Sequence, residues 1–285
     1  MRTPWLAYLS ELVGTALLIA VGVSFVILDF GTGSPVAAFL PDPGIRRLIT
    51  GFLFGGTGAL IAYSLVGKIS GAHINPVVTL AFRIKGKLSL RDTIGYIVAQ
   101  FAGAVVGSLP LLLWRQVGKS IGYGGTTPGA GYTVTEVLLG EIVTTICLIV
   151  GLFTFLGHKK LSRYTPLLFP FLYAVMVYIE APISGTSTNP ARSFGPSVVS
   201  GIWIGWWIYF VGPIVGMLIG VGIHHFSWLK RFEVEVAKIY HFDHDLYGIF
   251  RRDSSFGKVH TLSPSELRLP RAGSAKRFLP LQRRD

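Results

Sequence analysis

The sequence predicts an all-α membrane protein with six transmembrane helices and two membrane half-helices arranged as an inverted repeat. Three observations predict it. The 285 residues are 51% hydrophobic and only 14% charged, with mean hydropathy +0.55, where a soluble domain carries about 25% charged residues. Six apolar stretches are long enough to cross about 30 Å of hydrocarbon at 1.5 Å per residue. Two Asn-Pro boxes, Asn75-Pro76-Val77 and Asn189-Pro190-Ala191, open apolar stretches too short to cross, at corresponding places in the two halves.

The spans fall near 7–28, 46–67, 90–113, 134–156, 163–183 and 203–225. Residues 1–5 hold one Arg, and no small-residue cleavage site follows, so the first span reads as retained and not as a signal peptide. Breakers make loops of 29–45 and 115–133. The transmembrane domain is expected over 1–225, with halves at about 1–114 and 134–225. Residues 226–285 carry twelve Lys/Arg against seven Asp/Glu. They read as a basic, partly disordered cytoplasmic tail with one short helix near 228–240.

Lys68, Arg83, Lys85, Lys87 and Arg91 surround the second-to-third link, and His158, Lys159, Lys160 and Arg163 fill the fourth-to-fifth. With the basic tail they lie on one side, which predicts an integral plasma (inner) membrane protein with both termini cytoplasmic. Arg46 and Arg47 are exceptions on the other side. The net charge of +12 reads as topology and lipid contact, not as nucleic-acid binding. The single cysteine, Cys147, excludes intrachain disulfides and a Cys-based metal site, and reads as a buried packing thiol. No cofactor or metal is expected. His241, Asp243, His244 and Asp245 read as chance clustering in a solvated tail.

Asn is a favoured helix N-cap, and Pro fits the first helical position, where its missing N–H costs nothing. Each box therefore starts a half-helix. The halves match elsewhere too. Glu11-Leu-Val-Gly-Thr15 pairs with Glu141-Ile-Val-Thr-Thr145, and Gly71-Ala-His-Ile-Asn75-Pro76 pairs with Gly185-Thr-Ser-Thr-Asn189-Pro190. Interrupted segments in an inverted repeat point to a site at the bilayer midplane. Glu11 and Glu141 are intramembrane carboxylates costing about 2.5–3.5 kcal/mol each at a helix centre, so each is expected to face inward and be paired.

These residues carry a resemblance. Ser70-Gly-Ala-His-Ile-Asn-Pro-Val-Val-Thr79, Thr186-Ser-Thr-Asn-Pro-Ala-Arg-Ser-Phe-Gly-Pro196, Ala99-Gln-Phe-Ala-Gly-Ala104 and Val211-Gly-Pro-Ile-Val-Gly216 resemble the aquaporins, or major intrinsic proteins, over about 6–225. The resemblance implies a passive channel in which Asn75 and Asn189 donate to a passing solute oxygen. Their side-chain oxygens cap the half-helices and leave the amides free. It implies that Pro76 and Pro190 stack the motifs, and that Glu11 and Glu141 accept from half-helix loops. Val77 stands where the family has Ala, and either shifts its half-helix or fills a gap.

It further implies a selectivity ring of Arg192 with one residue each from span two, span five and the second loop. Counting from the motifs gives Gly55, Val177 and Thr186. Water-specific members place Phe and His at the first two positions, and glycerol facilitators place a bulky aromatic opposite Arg. Gly55 and Val177 therefore predict a wide ring passing glycerol, urea or undissociated hydroxides such as arsenous acid as well as water. Ser193, Ser197 and Tyr209-Phe210 instead resemble the water branch. Glu180, one turn from Val177, is expected at the outer vestibule, or else lipid-facing or salt-bridged. Thr186 replaces the Cys of mercury-sensitive members. The resemblance also implies homotetramers, with Gly51, Gly55, Gly56 and Gly58 available for close packing. A secondary transporter would need further midplane carboxylates, a non-conducting scaffold would give no osmotic flux, and an enzyme would need a nucleophile–base pair that the sequence lacks.

Overall fold

The computed structural model describes residues 3–240 and 245–250, and every regular element among them is helical. Helix α1 runs Trp5–Phe30 with a π-helical segment at Leu18–Val23. Helix α2, Pro43–Tyr63, starts where the Asp42 carboxylate accepts from the Gly44 and Ile45 amides at 2.7 and 2.9 Å. Half-helix α3 is Pro76–Ile84, and α4 is Leu90–Ser108, extended by a 3-10 segment and a short turn to Lys119. Helix α5, Val134–Gly157, opens with a Thr133–Glu136 capping box. Then come α6, Thr165–Glu180, half-helix α7, Pro190–Ser200, and α8, Ile208–Phe226.

All six expected spans have a helix, with shifted ends. The second stops at Tyr63 because Ser64 leaves the helix and caps a separate turn, Leu65–Ser70. The fifth is a 16-residue helix, about 24 Å long. The sixth starts at Ile208, because Trp203–Trp207 forms turns around Gly205 with φ +62°. At nine and eleven residues, α3 and α7 cross only part of a bilayer.

The long helices pack in three pairs, and each pair closes through glycines spaced four apart. A methyl added at Gly51 or Gly55 on α2 would sit 2.3 or 2.4 Å from the Tyr173 or Phe169 carbonyl oxygen of α6. At Gly103 and Gly107 on α4 it would meet the Leu12 and Ala16 carbonyls of α1, and at Gly216 on α8 the Ile142 carbonyl of α5. Without a hydrophobic drive between helices in lipid, such close approach supplies the packing contacts. Gly51 and Gly55 are therefore consumed inside the protomer, whereas Gly56 faces open space.

Cys147 is exposed, not buried: it shares the outward stripe of α5 with Leu139 and Val143. The expected helix near 228–240 exists only as a 3-10 turn at Trp228–Arg231. Beyond it Glu233 and Glu235 are exposed while Val234 and Val236 are buried. That alternation has period two, which suits an extended segment. Asp245 accepts from the Ile249 and Phe250 amides, while His241, Asp243 and His244 lie outside the described residues.

Candidate functional site

The two half-helices begin against one another. Asn75 Oδ1 accepts from the Val77 amide at 2.9 Å, and Asn189 Oδ1 accepts from Ala191 and Arg192 at 3.0 and 3.3 Å. Both caps hold extended backbone and are followed by buried Pro76 and Pro190. The near-equal cap lengths mean that the fully buried Val77 side chain fills space without displacing its helix. The amides are not wholly free. Asn75 Nδ2 donates to the Thr188 carbonyl at 3.0 Å, and Asn189 Nδ2 donates to the Ile74 carbonyl at 2.9 Å. A primary amide has two N–H donors, so each Asn spends one on the opposite loop. The other has no protein acceptor among the described residues.

The loops before the boxes share a backbone pattern. Ala72 and Ile74 have φ +52° and +42°, and Thr186 and Thr188 have +52° and +50°. The left-handed region disfavours residues with a Cβ, most of all branched ones. The buried glutamates hold the loops there. Glu11 accepts from the His73 and Ile74 amides at 2.9 and 2.7 Å and from Gln100 Nε2 at 2.7 Å. Glu141 accepts from the Ser187 and Thr188 amides at 2.7 and 2.9 Å and from the Ser184 hydroxyl at 2.6 Å. Charge-assisted bonds of this kind offset the desolvation of a carboxylate that is fully buried.

Arg192, the third residue of α7, borders a cavity of about 270 Å³ that also touches Val177 and Thr186. Its Nη1 donates to the Gly124 carbonyl at 2.8 Å, and its guanidinium carbon lies 5.9 Å from the Phe54 ring centre. Phe54 and Tyr173 line the same cavity with ring centres 5.7 Å apart, and the Tyr173 hydroxyl pairs with Thr188 Oγ1 at 2.7 Å. Gly55 does not belong to this group: its open side faces the Phe169 carbonyl of α6. One residue on a helix is a turn of about 100°, so Phe54 takes the position assigned to Gly55. The count from Asn75 slipped because it ran through the break at Ser64. A signal was available in the Gly51–Gly55 pair, which marks the face packed on α6 and excludes Gly55 from the cavity face. Tyr173, one turn from Val177 on the same face, was also missed.

Glu180 is not in the vestibule, at lipid or in a salt bridge. It is buried, takes a hydrogen bond from Thr186 Oγ1 at 2.5 Å, and presses its unpartnered Oε1 against Gly140. Ser193 joins a hydroxyl chain with Thr126 and Ser187 at 2.6 and 2.5 Å. The two exceptional arginines have local partners. Arg46 donates to the Asp29 carbonyl at 2.6 Å and stacks on Phe30, while Arg47 borders the cavity and donates to the Tyr178 carbonyl at 3.3 Å.

A profile described as Major intrinsic protein matches residues 2–224. Aquaporin TIP2-3 of Arabidopsis thaliana is 35% identical over 213 residues, covering 74% of this chain and 82% of the plant protein. Aquaporin-4 of Mus musculus is 31% identical over 233 residues, covering 81% and 70%. The aquaglyceroporin from Plasmodium falciparum, solved by X-ray, superposes with TM-score 0.67 at 18% identity, over 81% of this chain and 99% of that one. At that identity the likeness concerns the fold.

Proposed function

The chain belongs to the major intrinsic protein family, and from the geometry we propose that its pore is water-selective. The family's members are membrane channels, so the activity is passive passage of water and small uncharged solutes through a lipid bilayer, with no chemical step. The observation that carries the narrower reading is the pair Phe54 and Tyr173 beside Arg192. The wide-ring expectation of glycerol, urea or arsenous acid rested on Gly55 and Val177; Val177 lines the cavity, but Gly55 packs against Phe169 and the Phe54 ring narrows the lining on that side.

The mechanism follows from the two helix starts. The positive ends of α3 and α7 meet where Asn75 and Asn189 stand, which disfavours cations there. A water accepting the remaining N–H of each Asn turns its hydrogens away from the centre, so a proton-conducting chain is interrupted. Arg192 adds a permanent charge with fixed donors on the way in. Glu11 and Glu141 act as scaffolding for the loops, since their oxygens are occupied by loop donors.

Stopped-flow light scattering on proteoliposomes tests the solute range. Water flux with glycerol, urea and arsenous acid at the background of empty vesicles is expected. Flux of any of the three near that of water overturns the narrow reading. The Lys/Arg-rich links and tail support a plasma (inner) membrane location with both termini cytoplasmic. A homotetramer with one pore per chain is the proposed assembly, supported by Gly56 of α2, a small residue that faces open space and permits close helix approach. Mass determination in detergent checks it.

A further inference from the structure

The segment after α8 packs on the loop that delivers Asn75. Val234, Val236, Ala237, Lys238 and Ile239 are all at most 5% exposed. The segment starts at the end of α5, where a methyl on Gly157 would sit 2.3 Å from the Phe232 carbonyl oxygen. It finishes at the end of α2, where Tyr240 and Tyr63 have ring centres 4.8 Å apart. Between these points it binds the loop that leads to Asn75. The Ile239 amide donates to the Gly71 carbonyl at 3.0 Å, and His73 Nε2 donates to the Ala237 carbonyl at 2.9 Å. A second layer backs it, with the Ala237 amide donating to the Phe250 carbonyl at 3.3 Å and Lys238 Nζ lying 4.6 Å from the Phe250 ring centre.

Those anchor points belong to the elements that build the channel and its loops. Helix α2 supplies Phe54, α6 supplies Tyr173, α5 supplies Glu141, and the loop Gly71–Ile74 delivers Asn75. The Tyr63 hydroxyl reaches the Arg163 carbonyl at 3.5 Å, which joins the ends of α2 and α6 at this face. A chain running from α5 to α2 over that loop crosses the mouth they enclose. We infer that residues 232–240 form an autoinhibitory strap that closes the tail-side mouth, and that conduction requires it to leave. Its exposed edge, Glu233 and Glu235, is polar, and its buried edge is apolar, so it is held by burial and by bonds to the loop it covers.

The inference rests on the channel reading, and its test separates the two. Full-length wild type and Ile239→Asp are compared in phosphatidylcholine vesicles for osmotic water permeability. Hydrogen exchange of residues 234–239 is followed in parallel. A carboxylate at this buried position opposes docking by more than a tenfold population shift. Ile239→Asp is expected to raise permeability at least about tenfold, with the strap amides passing from slow to fast exchange. Tyr240→Ala, which removes the ring pair with Tyr63 at the segment's end, moves both readouts the same way and serves if the first variant does not fold. Fast exchange with wild-type permeability overturns the strap and leaves the channel standing. Fast exchange in wild type itself does the same. No permeability in any of the proteins overturns both readings.

Discussion

Two neighbouring substitutions separate the cavity face of α2 from its packing face. Gly55→Ala places a methyl 2.4 Å from the Phe169 carbonyl oxygen and 2.6 Å from its carbon, where contacts below 3.0 Å require something to move. Backbone cannot swing aside as a side chain can, so α2 and α6 must separate, at about 1–3 kcal/mol. No atom is added to the cavity. Phe54→Ala does the opposite. It removes the ring facing Arg192 and Tyr173, and the ring that packs on Gly22 of α1. The loss of a mostly buried Phe costs up to about 3–5 kcal/mol, less here because one side borders the cavity. The opening it leaves lowers the barrier to a three-carbon polyol by about 1.4–2.8 kcal/mol, which is about 10–100-fold in flux. Stopped-flow glycerol and water permeabilities, normalised to folded channel and read beside thermal unfolding in detergent, give both axes. Phe54→Ala is expected to gain glycerol flux, and Gly55→Ala to lose stability without gaining it. Glycerol entry through Gly55→Ala, or none through Phe54→Ala, would refute the register.

Glu141→Gln leaves one oxygen for three donors and turns an NH2 toward a loop amide. The unpaired N–H and the lost charge cost about 2–4 kcal/mol, read as a lower unfolding temperature in detergent. Val77→Ala removes two methyls from a fully buried site. It should cost about 1–2 kcal/mol with water permeability within about twofold of wild type. Mercuric chloride should leave wild-type permeability unchanged, since Cys147 lies on the outward face of α5 and Thr186 borders the cavity. Thr186→Cys should create a block reversible by thiol.

What the residues disclose in advance depends on how local the signal is. Both half-helices were legible because Asn and Pro act on the next two backbone amides, over a distance of one turn. The buried glutamates were legible because an unpaired carboxylate in hydrocarbon has few options. The ring on α2 was not, because a count across twenty residues depends on every intervening turn, and Ser64 breaks one of them. Glu180 was misread for a related reason. Helical spacing gives its face, yet whether that face meets water or α5 depends on Gly140, forty positions away. The strap escaped a helix-centred reading because its pattern has the wrong period, although Glu233-Val234-Glu235-Val236 states the right one.

The hydrogen bonds at the centre divide between those that stay within a repeat and those that leave it. Glu11 anchors the loop of its own half, at His73 and Ile74, and Glu141 anchors Ser187 and Thr188 of its own. The asparagine amides cross over, each to the carbonyl just before the other asparagine. Each repeat thus shapes its own loop but cannot satisfy its own asparagine. A half expressed alone has a finished scaffold and an open clasp, and its complement is a second repeat in the opposite orientation. Separate polypeptides carrying the two halves have the means to find each other, and neither asparagine can change without altering what its counterpart's loop must accept.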